Sequence, residues 1–322
     1  MPGISVSKIC VPFGGGGIDW SSYWTTPIKY YVDAVDGVDT NDGLTPATAW
    51  KTLTKVNATA FAAGDGIAFK GGQTFTGALT IPTSGVDGNL ITFGAYGSGA
   101  MPIIAEPINA NALAIAGKNY IRIQTLDIRN NNGNAGHRAV YISGTCASIE
   151  MYKCDLYSSG YGLLSGAAIS NSSFTYINTT GGAANGIYFF GAASSNVTVS
   201  NCFSTNGGGL QLNNISNPTV NLNRVTGFTK PYNGIGIQSC SGALVLNYNE
   251  VSLGSVANAG IYLLNNTFTS GGGTGNIVHN ITGAPYVISN TYNILINNSI
   301  GRNSTATGFI CNAGAYNIIL SG

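Results

Sequence analysis

The sequence has little charge, since only 8% of its 322 residues are Asp, Glu, Lys or Arg, against roughly 25% in typical soluble domains. The formal net charge is +1, and no basic run is longer than a dipeptide. A chain without a basic patch has little electrostatic attraction for a nucleic-acid backbone or an anionic membrane surface. We therefore expect neither partner, and Asn, Ser, Thr and Gly must supply the polar surface.

Long apolar runs are also missing. No stretch approaches the ~20 apolar residues that span a bilayer, so no membrane span is expected. The N-terminus, "MPGISVSKICVPFGGGG", has neither an early basic cluster nor a continuous apolar core, which is not typical of a Sec signal peptide. An extracellular or virion location then requires another export route or cell lysis.

Metal-binding patterns are sparse. The six cysteines form no CxxC pair, and the chain has two histidines, which argues against a structural zinc site. The cysteines are predicted to be small apolar core residues.

A phrase of glycine followed by apolar residues recurs through the last half of the chain. The spacings between successive phrases are 24, 23, 25, 26, 26 and 22 residues. A second strand-like phrase follows in each unit, such as "NVTVSNCF" from Asn196 and "ALVLNYNEV" from Ala243. Such a period indicates a solenoid or a propeller. The phrases begin at Gly162, Gly186, Gly209, Gly234, Gly260, Tyr286 and Gly308.

The strands within each unit are too short for a four-stranded propeller blade, and the leucine-rich repeat signature is missing. The remaining solution is a right-handed parallel β-helix of about ten coils, an all-β solenoid with inward aliphatic side chains stacked coil on coil. Gly and Asn are expected at corners, because both tolerate left-handed φ and Asn can hydrogen-bond from coil to coil. The corner candidates are Asn201, Asn221, Asn249, Asn280 and Asn298.

Residues 29–104 are organised differently from the regular coils of residues 105–322. A strand and an Asp/Asn/Gly turn precede a predicted helix of about 13 residues near Ala49 to Phe61, with Leu53, Val56 and Phe61 on one face. A solenoid needs a cap over its first coil, and this helix is predicted to be that cap.

The same region resembles the right-handed parallel β-helix proteins of the pectate-lyase-like superfamily. The residues that carry the resemblance are "YYVDAVDGVDTNDGLTPATAWKTLTKVN", "GDGIAFKGGQTFTG" and "NLITFGAYGSG". Together with the coils, the resemblance covers about nine tenths of the chain. It implies the fold but not one activity, because the superfamily includes lyases, glycosidases, epimerases, bacteriophage tailspikes and non-catalytic binding proteins.

Residues 1–28 stand apart as a glycine-rich segment followed by "IDWSSYWTT". They resemble leader segments of bacteriophage and Bacteroidetes surface proteins, which implies a tether that anchors the chain to other virion or appendage proteins. Trp20, Tyr23 and Trp24 either dock on a partner or fold back over the helix.

Acidic residues are too few for most paired-carboxylate sites, since Glu250 is the one acid between residues 156 and 322. Aligning "YIRIQTLDIRN" with "SIEMYKCDLYS" stacks Arg122 on Glu150 and Asp127 on Asp155. Two stacked Asp residues repel unless a cation such as calcium, or a neighbouring Arg, lies between them. The catalytic candidates are Asp127, Asp155, Arg129 and His137; a structural salt-bridge ladder explains the same residues.

A second candidate surface follows the repeated glycine phrase. If Ile187, Leu210 and Ile261 point inward, their neighbours share the outer face of one sheet, which then carries an unusual aromatic strip. The strip serves as a glycan-binding surface, a subunit contact in a homo-oligomer such as a trimer, or a face covered by loops. Its residues are Tyr188, Phe190, Gln211, Gln238 and Tyr262.

The sequence therefore favours a bacteriophage or cell-surface appendage protein, such as a tail fibre or tailspike, that presents a rigid surface for recognition of host glycans. The scarcity of acids makes an enzyme the less favoured alternative, a polysaccharide lyase or a glycoside hydrolase. A structural filament or spacer is the third. No cofactor is expected other than calcium.

Overall fold

The computed structural model describes residues 18–108, 111–130, 132–181, 184–191, 193–205, 208–228, 233–297, 299–304, 308–312 and 315–321. These residues form a parallel β-solenoid of about nine turns with almost no helix. Its strands pair in parallel with those of the coils before and after. The all-β solenoid predicted from the repeat is confirmed.

Each coil contributes strands to three faces. Face 1 consists of β4 (Leu79–Thr80), β7 (Asn111–Ala116), β10 (Arg138–Ser143), β13 (Tyr161–Ser165), β15 (Asn185–Phe189), β18 (Gly208–Asn213), β22 (Ile235–Gln238), β25 (Ser255–Leu264), the later part of β27 (Ile277–Ser289) and β30 (Phe309–Cys311).

Face 2 consists of β1 (Ile28–Val32), β2 (Gly66–Lys70), β5 (Ile91–Tyr96), β8 (Ile121–Gln124), β11 (Cys146–Ala147), the first parts of β12 (Ile149–Ser158) and β14 (Ile169–Thr180), β16 (Ser194–Ser200), β19 (Ile215–Ser216), β20 (Thr219–Asn221), β23 (Ser241–Asn247), β26 (Thr267–Thr274), β28 (Tyr292–Asn297) and β31 (Tyr316–Ser321).

Face 3 follows face 2 across a sharp corner. It consists of β3 (Thr74–Thr76), β6 (Ile103–Ala105), β9 (Asp127–Asn130), the later parts of β12 and β14, β17 (Phe203–Thr205), β21 (Arg224–Thr226), β24 (Glu250–Ser252), the first part of β27 and β29 (Ile300–Ser304).

The core consists of inward side chains stacked along the solenoid axis. On face 1, Leu163 pairs with Ile187, Ile187 with Leu210, and the column continues through Ile235 and Ile261. All five are at most 2% exposed. The prediction that these aliphatic side chains point inward is therefore confirmed. Burying each such side chain stabilises the fold by about 1.5–3 kcal/mol.

The repeat glycines of the middle coils are required by space rather than by left-handed φ. None of Gly186, Gly209 and Gly234 has positive φ. A Cβ on Gly209 would lie 1.7 Å from the carbonyl oxygen of Gly234, and one on Gly234 would lie 2.3 Å from Val251 Cγ1. These three glycines therefore mark where adjacent coils approach too closely for any side chain.

The asparagines divide into two groups. Asn201 and Asn280 have positive φ, as predicted, whereas at the other two described corners the positive φ belongs to Leu222 and Tyr248. The expectation for Asn221 and Asn249 is therefore wrong, and Asn298 lies outside the described residues.

Asn249 instead lies one residue past the corner, where it is fully buried. Its Nδ2 donates to Asn276 Oδ1 at 2.9 Å, and its Oδ1 accepts from Asn223 Nδ2 at 3.0 Å. The coil-to-coil Asn ladder predicted from the sequence is thus present, but inside the corner. This ladder holds the strained residue before it in place.

The sixth repeat phrase is offset by one residue from the sequence alignment. Tyr286 pairs with Ile261, not with Gly260. The Tyr286 ring therefore takes the inward position that an aliphatic side chain takes in the other coils. Its buried hydroxyl donates to the carbonyl oxygen of Asn276 at 2.9 Å. Pro285 therefore takes the place of the glycine in this coil.

The capping helix is much shorter than predicted. α1 spans Leu53–Asn57, and its N-cap is Thr52, whose side chain accepts from Lys55 N. A 3-10 turn, Pro46–Thr48, precedes it. Leu53, Val56 and Phe61 are all buried, although Phe61 lies beyond the helix. The three apolar residues are buried together in the core, but their spacing does not require a continuous helix.

The described part of the predicted tether packs on the solenoid. A 3-10 turn spans Trp20–Tyr23; Trp20 is 2% exposed and packs with Ala95 and Met101. Trp24 Nε1 donates to the carbonyl oxygen of Ala95 at 2.6 Å. These residues fold back on the coils at Ala95, and not over the capping helix as the second alternative had it. Residues 1–17 lie outside the described part of the chain.

Four of the cysteines are buried core residues, namely Cys146, Cys154, Cys202 and Cys240, whereas Cys311 is exposed. Cys10 lies outside the described residues. No helix in the described ranges is long and apolar enough to cross a membrane.

Candidate functional site

The stacking predicted for the acidic residues is present and separates them into two groups. Arg122 pairs with Glu150 on face 2, and Asp127 pairs with Asp155 on face 3. The corner at Lys153, which has φ 52°, divides the two groups. The face 2 group is a surface ion pair, with Arg122 Nη1 3.2 Å from Glu150 Oε2.

The face 3 group opens into a cleft with a volume of about 420 Å³. Residues from β9, β12, β14 and β17 line it, so the cleft runs along the axis across four coils. The described lining residues are Asp127, Arg129, Asp155, Leu156, Tyr157, Asn178, Thr180, Phe203 and Thr205.

Asp127 is bound by Arg129, two residues along the same strand. Arg129 Nε donates to Asp127 Oδ1 at 2.8 Å, and Nη2 donates to Oδ2 at 2.5 Å. The Asp127 side chain is 14% exposed, whereas that of Arg129 is 48% exposed. The stacked Asp residues were expected to need either a calcium ion or a neighbouring Arg, and in the structure Arg129 supplies this positive charge. Among the described residues, no group of three His, Cys, Asp or Glu side chains could hold a metal ion.

Asp155 has a different environment. Its Oδ1 accepts from Asn178 Nδ2 at 2.7 Å, one coil further along. Burial, together with the negative charge of Asp127, raises the pKa of Asp155 to about 6, although the bond from Asn178 and the charge of Arg129 act in the opposite direction. Such a carboxyl group can hold a proton in mildly acidic solution and release it to a bound molecule.

Aromatic and neutral polar groups form the rest of the cleft. The Tyr157 ring lies over Gly181, where an added Cβ would be 3.4 Å from Tyr157 Cε2. Tyr157 is 38% exposed, so part of its side chain is open to a ligand. Phe203 follows Asn178 in the same outward column. Flat rings beside amide and hydroxyl groups are suited to sugars, which have apolar faces and hydroxyl edges.

The structure brings three of the four catalytic candidates into one cleft. His137 is not among the described lining residues; it precedes β10, and its Nδ1 lies 2.5 Å from Asn132 Nδ2. Tyr157, Asn178 and Phe203 were not predicted from the sequence as part of the site. Extending the Asp127–Asp155 register by two more coils would have found Asn178 and Phe203.

The aromatic strip on face 1 is only partly open. Tyr188 stacks with Phe190 at 5.2 Å between ring centroids and with Tyr161 at 6.2 Å, and Phe190 is 40% exposed. Gln211 lies in the same outward column as Tyr188 but is covered: it is 9% exposed, and its Nε2 donates to the carbonyl oxygen of Asn233 at 2.9 Å.

The remainder of the strip is more covered. Tyr262 is half-buried against a small apolar cluster that includes Ala259 and Val287, and Gln238 is also half-buried. The predicted strip therefore consists of an exposed aromatic group and a largely covered part.

Comparison with solved structures identifies two β-helices of particular interest. The GH136 lacto-N-biosidase from Eubacterium ramulus matches with a TM-score of 0.63 at 15% identity, covering 90% of this chain and 68% of that one. The enzymatically active domain of tailspike protein 2 from bacteriophage CBA120 matches with a TM-score of 0.55 at 13% identity, covering 78% of this chain and 42% of that one. At these identities the likeness shows the fold.

No curated protein matches the chain by sequence. A family model described as "Right handed beta helix region" matches residues 111–273, which is just over half of the chain and includes the whole cleft. The chain therefore belongs to the right-handed β-helix family.

Proposed function

We propose that this β-helix binds a glycan in the face 3 cleft and hydrolyses a glycosidic bond there. The observation that carries the proposal is the placement of Asp127 and Asp155 on adjacent strands of one cleft, each with a different partner. Glycoside hydrolysis uses two carboxyl groups, of which one protonates the leaving oxygen and the other stabilises or attacks the sugar.

Asp155 is assigned as the acid, because its carboxyl group is the one whose ionisation is disfavoured. It donates a proton to the glycosidic oxygen as the bond from that oxygen to the anomeric carbon breaks, and it then takes a proton back from the water molecule that adds to the anomeric carbon. The carboxylate of Asp127 faces the positive charge that develops on the sugar ring, and Arg129 holds that carboxylate in position. Parallel strands are about 4.8 Å apart, which is close to the separation of about 5–5.5 Å between the carboxyl groups of retaining glycosidases.

The proposal is tested with a panel of neutral and acidic polysaccharides. Hydrolysis is followed by release of reducing ends, and lyase cleavage is followed by the absorbance of unsaturated ends. We expect Asp155→Asn and Asp127→Asn each to lose at least about 100-fold in hydrolysis while glycan binding is retained. Asp87→Asn, an exposed loop acid, is the control and should keep full activity. Unchanged cleavage in both cleft variants would refute the assignment, and unsaturated ends would indicate a lyase.

We also propose a biological setting, a bacteriophage or cell-surface appendage that presents this cleft to host glycans. The support is the fold shared with a bacteriophage tailspike domain and the extended rigid surface of the solenoid. In that setting the exposed face 1 group of Tyr161, Tyr188 and Phe190 is a subunit contact. Sedimentation should then show an oligomer that Phe190→Asp dissociates, and a monomer at micromolar concentration would contradict the contact.

A further inference from the structure

The charged side chains in the described lining of the cleft are two carboxyl groups and one guanidinium group. Arg129 directs both Nε and Nη2 to Asp127. Asp155 accepts its hydrogen bond from the neutral amide of Asn178. The cleft therefore has an excess of negative charge whenever Asp155 is ionised, and its guanidinium is already engaged.

The next cation along the same column is also matched by an acid. Arg224 follows Phe203 in register, and its guanidinium carbon lies 5.5 Å from the Phe203 ring centroid. Arg224 Nε lies 3.5 Å from Glu250 Oε2, and Glu250 Oε1 lies 3.2 Å from His279 Nε2. The Glu250 side chain is 14% exposed, so this part of face 3 does not offer an unopposed positive charge either.

Lys153 is the nearest lysine in sequence to Asp155, but it is engaged elsewhere. Its ammonium group lies 4.3 Å from the centroid of the Tyr23 ring and 5.4 Å from that of Tyr152. Tyr152 belongs to face 2, on the other side of the corner from the cleft. Lys153 is therefore held between aromatic rings of the leader segment and of face 2.

The groups that remain to recognise a ligand are neutral. Asn178, Thr180 and Thr205 contribute an amide and two hydroxyl groups to the lining, and Tyr157 contributes an aromatic ring. Amide and hydroxyl groups exchange hydrogen bonds with sugar hydroxyls or acetamido groups, whereas recognition of a carboxylate or sulfate favours a guanidinium or ammonium donor.

We infer that the glycan bound in this cleft is uncharged, a chain of neutral hexoses or N-acetylhexosamines rather than a polyuronate or sulfated glycan. This inference rests on the proposed function. An anionic group on the sugar would meet Asp127 and Asp155, and the described lining residues offer no free cation to compensate. Repulsion between like charges about 4 Å apart weakens binding by about fivefold even at the dielectric constant of water.

The test compares neutral polysaccharides with the same polymers after oxidation of their primary hydroxyl groups to carboxylates. Binding to the full chain is measured by calorimetry at pH 8, at a temperature where no reducing ends are released. We expect the oxidised polymer to bind at least about fivefold more weakly than its neutral parent. The affinity for the neutral polymer should also change little between about 0.01 and 1 M salt.

Two variants locate the binding and probe the charge. Tyr157→Ala should weaken binding of the neutral polymer, whereas Tyr248→Ala should not, although Tyr248 is similarly exposed at 42% and also lies over a glycine. Asp155→Asn removes a negative charge from the cleft and should therefore reduce the difference in affinity between the neutral and the oxidised polymer.

Oxidised polymer that binds as tightly as its parent, or more tightly, and loses affinity in Tyr157→Ala would overturn the inference while leaving the proposed site intact. Failure of both forms to bind would instead refute the proposed function, and this inference with it.

Discussion

Asp127 and Asp155 are direct neighbours across two parallel strands, and they differ in their partners. Asp127 is held by the guanidinium group of Arg129, and Asp155 by the amide group of Asn178. An ion pair compensates the charge of one carboxylate, whereas burial disfavours the charge of the other. The repeat has thus produced two unlike carboxyl groups from the same position in successive coils.

The raised pKa of Asp155 predicts a pH-dependent stability. The pKa is about 6 in the folded chain, against the ordinary value of 3.8, so the folded state binds the proton more tightly than the unfolded state. The stabilisation is complete below pH 4 and is lost as the pH rises through 6, a change of about 3 kcal/mol. Asp155→Asn should not lose stability as the pH rises, and it should therefore be more stable than the wild-type protein at pH 8.

Urea denaturation of both proteins between pH 4 and 8 measures this effect. Asp87→Asn is the control and should follow the wild-type profile. A difference between Asp155→Asn and wild type that does not vary across this range would contradict the raised pKa.

Asn178 provides a second test of the same carboxyl group. Its hydrogen bond to Asp155 lowers the pKa of that group, so Asn178→Ala should raise the pKa further. If the cleft hydrolyses glycans, the alkaline limb of the activity profile should move to higher pH by the same amount. Carbon-13 NMR titration of the Asp155 carboxyl group measures the shift directly, and an unchanged or lower pKa would exclude the assigned hydrogen bond.

The column of repeat glycines predicts an unequal response to alanine. Gly209→Ala would place a methyl group against the carbonyl of Gly234, whereas Gly308, in the same column near the C-terminal end, has no atom within 4 Å of an added Cβ. We expect Gly209→Ala to lower the free energy of unfolding by about 3 kcal/mol and Gly308→Ala to be neutral or slightly stabilising. Thermal unfolding followed by circular dichroism compares the two, and equal effects would argue against the close contact.

The buried ladder predicts a large effect at Asn249. Asn249→Ala would remove the donor to the carbonyl oxygen of Val220 and the acceptor for the backbone N–H of Asn223. Because both partners are buried, we expect a loss of about 3 kcal/mol in unfolding free energy. Asn134→Ala, at an exposed turn, should cost far less. Similar losses in the two variants would show that water can replace the ladder bonds.

The sequence predicted the fold and the Asp127–Asp155 stacking because both follow from the repeat. Once two coils are aligned, pairing places each residue of one directly on its counterpart in the next. The length of the cap was not predictable in this way, because apolar residues three to five positions apart also occur in irregular chain. The offset at Tyr286 arose because proline replaces the glycine on which the phrases were aligned.

The cleft was only partly predictable for a related reason. Its column changes residue type from Asp to Asn to Phe in successive coils, so similarity between coils does not mark Asn178 or Phe203 as partners of Asp155. His137 is close to the acids in sequence, but the chain leaves face 3 after Asn130, and this histidine lies one residue before a face 1 strand.

The cleft is built from consecutive middle coils, and in a solenoid each coil touches only the one before and the one after. Whole coils inserted or deleted towards either end would change the reach of the rod by about 4.8 Å each without altering the spacing of the cleft's side chains. Length and recognition are therefore separable properties of this architecture, and evolution or engineering can adjust one while the other stays constant.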